Sequence, residues 1–171
     1  MSADFRVSSR VAIPLLVAAA LFALANSAPA QTRTATLNVT INGFARLTLS
    51  SSGVSFPDSS PDLVPQVPGT PGPLAITVKA RTTATANLRL SVLASDDLRS
   101  GVRTILASNI TWTASGLGFV AGTLNRTTAQ SVGSWVGSGV RSGSQSLLFR
   151  NLWTHPTGTY TLTMTYTLSS P

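Results

Sequence analysis

The sequence predicts an all-β fold, an antiparallel β-sandwich with Greek-key connections. Three observations carry this reading. The first is alternation with a period of two, cleanest from Gly158 to Ser169. There Tyr160, Leu162, Met164, Tyr166 and Leu168 share one parity, and Thr159, Thr161, Thr163, Thr165, Thr167 and Ser169 the other. Successive side chains of a strand point to opposite faces, so the segment has one apolar and one hydroxyl face. A period of 3.6 would scatter the same residues around a helix. The second observation is that turn signals recur about every ten residues after the first thirty, with no helical period among them. The third is that Pro57 to Pro73 holds six of the ten prolines. Proline has no amide hydrogen to give a ladder, so this is a long connection rather than a central strand. It is expected to cross from one sheet to the other.

The chain has 171 residues. Arg6 and Arg10 precede an apolar run from Val11 to Ala25, and Ala28-Pro29-Ala30 supplies small residues for a signal peptidase. This predicts a secretory signal peptide over residues 1–30 and a mature chain that starts at Gln31. The run falls short of the roughly 20 apolar residues that span a bilayer. An uncleaved anchor is the alternative. No later run is long enough to span, so residues 31–171 are expected to form a single exported domain that is periplasmic, cell-surface or extracellular.

Thr34 to Asn42 alternates, with Ala35, Leu37, Val39 and Ile41 on one parity. Asn42-Gly43 then marks either a tight hairpin turn or a bulge within one long strand. Phe44 to Ser50 resumes a strand through Leu47 and Leu49. Leu74 to Thr83 and Thr85 to Ser95 read as neighbouring strands, with Ile76 and Val78, and Leu88 and Leu90, facing inward. Asp96 to Gly101 is a polar turn. Thr104 to Ala114 is a strand whose Ile110 and Trp112 share the inward parity. Gln130 to Val136 is a weaker strand. Gly137 to Ser144, with three glycines and three serines, reads as a loop. Ser146 to Trp153 is apolar on both parities, as a central strand covered on both faces would be. About eight to ten short strands with such turns suit a sandwich. An eight-stranded outer-membrane barrel would fit the length but lacks aromatic girdles.

The chain contains no cysteine and no glutamate, so its stability has to come from a packed core rather than disulfides. Ten basic residues against four aspartates give the mature chain a net charge of +6. The basic residues are scattered singly, which argues for solubility and loose attraction to acidic surface polymers rather than nucleic-acid binding. His155 is the only histidine. It cannot supply a histidine- or thiolate-rich metal site, and no nucleophile elbow accompanies it. Asp96 and Asp97 are adjacent and read as turn caps, with calcium ligation the other option. No enzyme activity or cofactor is expected. Among the three tryptophans, Trp112 falls on a core parity. Trp135 and Trp153 are the candidates for stacking on a sugar ring.

Ile110-Thr111-Trp112-Thr113, Gly116-Leu117-Gly118-Phe119, Asn151-Leu152-Trp153 and Gly158-Thr159-Tyr160 resemble a group of uncharacterised exported bacterial β-sandwich proteins. The closing strand, through Tyr166, is similar to that of fimbrial subunits and spore-coat-U-like domains. The resemblance spans about Ala75 to Pro171. It implies an immunoglobulin-like sandwich with a structural or adhesive role at the cell surface. The expected partners are copies of the chain itself, other surface subunits, or polysaccharide. Two functions stay open: a pilin-like subunit assembled by strand exchange, and a secreted carbohydrate-binding module. In the first, Ala35, Leu37, Val39 and Ile41 are the exchanged residues; the alternative is an ordinary first strand of a self-contained domain. N-terminal sequencing of the exported protein is expected to begin at Gln31, and an intact Met1 would mean the leader is retained.

Overall fold

The computed structural model describes residues 35–170. The expected signal peptide lies outside the described residues. The chain divides into a unit Met1–Val39 and a compact body Thr40–Pro171, and the body is an antiparallel β-sandwich. Its larger sheet has the order β1-β3-β10-β7-β8: β1 is Phe44–Leu49, β3 Leu74–Arg81, β10 Gly139–Arg150, β7 Ile110–Ser115 and β8 Gly122–Thr123. The short β2, Gln66–Pro68, pairs with the far end of β10. The smaller sheet has the order β11-β4-β9, with β11 Met164–Ser169, β4 Asn87–Ala94 and β9 Gln130–Val136. A hairpin of β5, Leu98–Ser100, and β6, Arg103–Ile105, follows β4.

Alternation places the core. In β3, Leu74, Ile76 and Val78 are buried; in β4, Leu88, Leu90, Val92 and Ala94 are buried while Asn87 and Arg89 face out. Trp112, Leu147, Val132 and Leu124 fill the space between the sheets. Each fully buried large aliphatic side chain stabilises the fold by roughly 1.5–3 kcal/mol. These rows outweigh any local propensity and fix the register, because a one-residue slip would turn every one of them outward.

Four expectations need correction. The described part of Thr34 to Asn42 forms no strand, and β1 starts only at Phe44. Asn42-Gly43 is therefore neither a hairpin turn nor a bulge. Alternation makes a segment fit for a ladder, but a strand exists only where another strand pairs with it. The proline-rich stretch does not cross between sheets. It leaves β1 and returns to the same sheet through β2 and β3, because Gly69 N–H donates to the Leu147 carbonyl at 2.9 Å and draws the chain back onto β10. Gly137 to Ser144 is not all loop: β10 runs from Gly139 straight through the glycines and serines. A Cβ on Gly143 would meet the Phe119 ring and the Ser115 carbonyl, so the small residues serve close packing rather than flexibility. The expected strand from Thr104 to Ala114 is broken by a 3₁₀ turn, Ala107–Asn109.

The closing strand is shorter than its alternation. Only Met164–Ser169 pairs with β4. Before that, Thr161 makes a single bridge to Arg99, and Ser95 N–H donates to the Thr163 carbonyl at 2.8 Å. The ladder stops because β4 ends at Ala94 and the chain turns away at Asp96-Asp97 into the β5–β6 hairpin. Leu162, Met164 and Tyr166 do face the core, but they are half-buried. Leu90→Ala, at a fully buried site, is therefore expected to cost about 2–5 kcal/mol in urea unfolding. Leu162→Ala is expected to cost less than Leu90→Ala, and the exposed Thr163→Ala to stay within about 0.5 kcal/mol. Equal losses at positions 162 and 163 would overturn the facing.

Candidate functional site: an open margin between the sheets

The two margins of the sandwich are closed differently. On the β8–β9 side, the chain between Gly116 and Thr123 is bonded to both sheets. Val120 N–H donates to the Val132 carbonyl at 2.9 Å and Ser134 N–H to the Gly118 carbonyl at 3.0 Å. Phe119 bridges Gly133. Two indoles seal this side from within. Trp112 Nε1–H donates to the Val120 carbonyl at 2.9 Å, and Trp135 Nε1–H to the Leu117 carbonyl at 2.8 Å. Gly116 and Gly118 make the turn, with φ of +106° and +81°, a region that side-chain-bearing residues avoid.

The opposite margin is open. β1 pairs only with β3, and β11 only with β4. These two edges lie beside each other, yet no ladder joins them among the described residues. Leu47 and Leu49 of β1, and Met164, Tyr166 and Leu168 of β11, point at the core and remain only partly covered. Beyond Leu49 and Met164 the margin widens into a cleft of about 1260 Å³. Its walls are residues 51–61 on one side and 155–163 on the other, and its floor includes Leu98, Ile110, Leu147 and Phe149.

Polar groups meet at this margin. Tyr166 O–H donates to Gln145 Oε1 at 2.6 Å, a link from one sheet to the other. Gln145 is fully buried on β10, and its Nε2 has no partner among the described residues. Burial pushes the Tyr166 phenol up to about 12. His155 packs its ring against Phe149 at 5.4 Å, and burial, then the Arg150 charge, lowers its pKa.

Asp96 and Asp97 are engaged structurally. The Arg99 side chain donates to Asp96 Oδ2 at 2.6 Å, and the Asp97 N–H to Asp96 Oδ1 at 2.8 Å; the Arg99 bond is the main cause holding the Asp96 carboxyl below its usual range. Asp97 accepts the Ala107 N–H at 2.8 Å and faces Arg126 at 3.3 Å. Among the described residues no three or more His, Cys, Asp or Glu gather into a metal-binding group, and no helix is long and apolar enough to cross a membrane.

The sequence candidates fall in different places. Ala35, Leu37, Val39 and Ile41 are all exposed, Leu37 at 87% and Ile41 at 67%. Trp135 is not a surface platform: it is 7% exposed and packs edge-on to Phe119 at 4.8 Å. Its glycine-rich surroundings, which suggested exposure, are the cause of its burial. A Cβ on Gly118 or Gly133 would strike the indole, so those glycines are the seat of the ring. Trp153 is 71% exposed and lines the cleft. The open margin itself escaped sequence reasoning, although Leu47 and Leu49 were placed on one parity and the closing strand was given an apolar face.

The burial of the Tyr166 phenol yields a pH test. A tyrosine titrates near 10 when unfolded and near 12 here. A raised folded value means the contribution is intact below pH 10 and is lost as pH rises through 12. Tyr166→Phe leaves Gln145 Oε1 without its partner and is expected to cost about 1–3 kcal/mol near neutrality. The stability gap between the two proteins is expected to narrow from pH 10 to 12 in parallel denaturation curves, and a gap independent of pH would refute the assignment. No family model matches the chain, and no curated protein matches it.

Proposed function

We propose that the chain is an exported, non-enzymatic structural or adhesive surface subunit whose copies assemble by strand exchange, pilin-like. The observation that carries this reading is the open margin, where two neighbouring strand edges lack a partner among the described residues and five inward-facing side chains stay half-covered. A strand from a second copy fits that vacancy. Residues 35–41 offer four apolar side chains at alternate positions, exposed in the free chain. Backbone bonds to a free edge give affinity, and pockets at every second position give specificity.

Register disfavours folding the same segment back onto its own β1 through a two-residue turn. A two-residue turn at Asn42-Gly43 would pair Ile41 with Phe44 and hence Asn38 with Leu47 and Thr36 with Leu49. Cross-strand partners share a face, so the polar residues would meet the core while Leu37 and Val39 faced water. A strand supplied by a neighbour carries no such restriction and presents its apolar parity inward.

The mature protein is expected to form concentration-dependent oligomers by light scattering. A variant lacking residues 31–42 is expected to be a folded monomer that a peptide of residues 34–42 binds and stabilises. The peptide carrying Leu37→Asp and Val39→Asp is expected not to bind. A mature protein that stays monomeric at high concentration, together with a peptide that leaves the truncated domain's melting temperature unchanged, would overturn the proposal.

A further inference from the structure

We propose that Trp153 and Asp62 form a stacking subsite for a neutral saccharide on the lip of the cleft. This inference is independent of how copies of the chain assemble.

Trp153 presents an indole that is 71% exposed, whereas Trp112 and Trp135 are buried. Burial cannot account for its place, since an exposed indole makes little of its large apolar surface. Nor is the ring loosely held. Its Nε1–H donates to Asp62 Oδ1 at 3.0 Å. Trp153 sits inside a turn closed by the His155 N–H bond to the Leu152 carbonyl at 3.1 Å. Asp62 sits in a second turn, where Leu63 and Val64 N–H donate to the Ser60 carbonyl at 3.1 and 2.9 Å. Asn151 fastens the two turns together. Its Nδ2 donates to the Ser59 carbonyl at 2.8 Å, and its N–H to the Pro65 carbonyl at 2.9 Å. The ring is thus fixed before any ligand arrives, which lowers the entropy lost on binding.

The chemistry of the ligand follows from the pair. A pyranose carries an apolar C–H face and a rim of hydroxyl groups. The indole accepts the face, and the Asp62 carboxylate accepts hydrogen bonds from the rim. The cleft itself carries both signs: Asp58 lines it, while Arg103 donates to the Thr157 carbonyl on its wall and the Arg150 charge reaches His155. At the indole the acceptor is the Asp62 carboxylate, which repels uronate or sulfated sugars and leaves neutral ones.

The test titrates the mature protein with hexamers of β-1,4-linked glucose, β-1,4-linked N-acetylglucosamine and α-1,4-linked glucose, with a polygalacturonate oligomer for comparison. Binding is read by calorimetry and by tryptophan fluorescence; a change is assignable to Trp153 because the other two indoles are sealed. At least one neutral hexamer is expected to bind saturably. Trp153→Ala is expected to weaken it at least tenfold without lowering the unfolding midpoint, and Trp153→Phe to restore part of the affinity. Asp62→Leu, which releases the indole, is expected to weaken binding; Asp62→Asn, which keeps an acceptor for Nε1–H, is expected to weaken it less. No saturable binding by any neutral hexamer, equal affinity in Trp153→Ala, or preference for the polygalacturonate would each overturn the proposal.

Discussion

The sandwich depends on the uninterrupted pairing of one long strand. β10 takes β3 along the first part of one edge and β2 along the last part, and Gly69 N–H supplies the Leu147 carbonyl between them. Its other edge holds β7. A buried backbone carbonyl without a partner costs about as much as a lost hydrogen bond, so filling that short gap is what brings the proline-rich chain back to the sheet. Two of the connections to the smaller sheet, from β9 and into β11, leave from the ends of β10. Its position therefore sets which strands become the outer edges.

Alternation was the legible part of the sequence. It marked the buried rows of β3 and β4 and the inward Trp112, because half-burial writes a period of two directly into the chain. Close packing between distant residues left no such mark. Gly143 read as loop because the ring that requires it, Phe119, approaches from elsewhere in the fold, and Gly133 read as weak strand although the Trp135 indole, two positions on in the same strand, lies over it. The same blind spot made Trp135 look like a surface residue. At the candidate site, the exposed row Ala35 to Ile41 was visible, but the unfilled margin was not: it arises from strand order, which no local pattern encodes. Trp153 could be named as a candidate, whereas its tie to Asp62, ninety-one positions away in the chain, could not.

Bare strand edges invite unwanted pairing, and stable monomers cover or charge them. β1 and β11 do little of this. β11 exposes Thr165, Thr167 and Ser169 rather than charges, and β1 offers only Arg46. An edge that is neither capped nor repelled is suited to accept a strand. The half-covered row behind it is a surface that an incoming apolar face would complete.

The unequal margins also make the domain behave like a bound book. Parting the sheets along the β8–β9 side would break backbone bonds and unseat Trp112 and Trp135. Parting them along β1 and β11 would break, among the described residues, half-covered side-chain contacts and the Tyr166–Gln145 link from β11 to β10. The leaves can open at the fore-edge while the spine stays sewn, so an occupant wedged there would change the spacing of the sheets without disturbing the seats of the two sealed indoles.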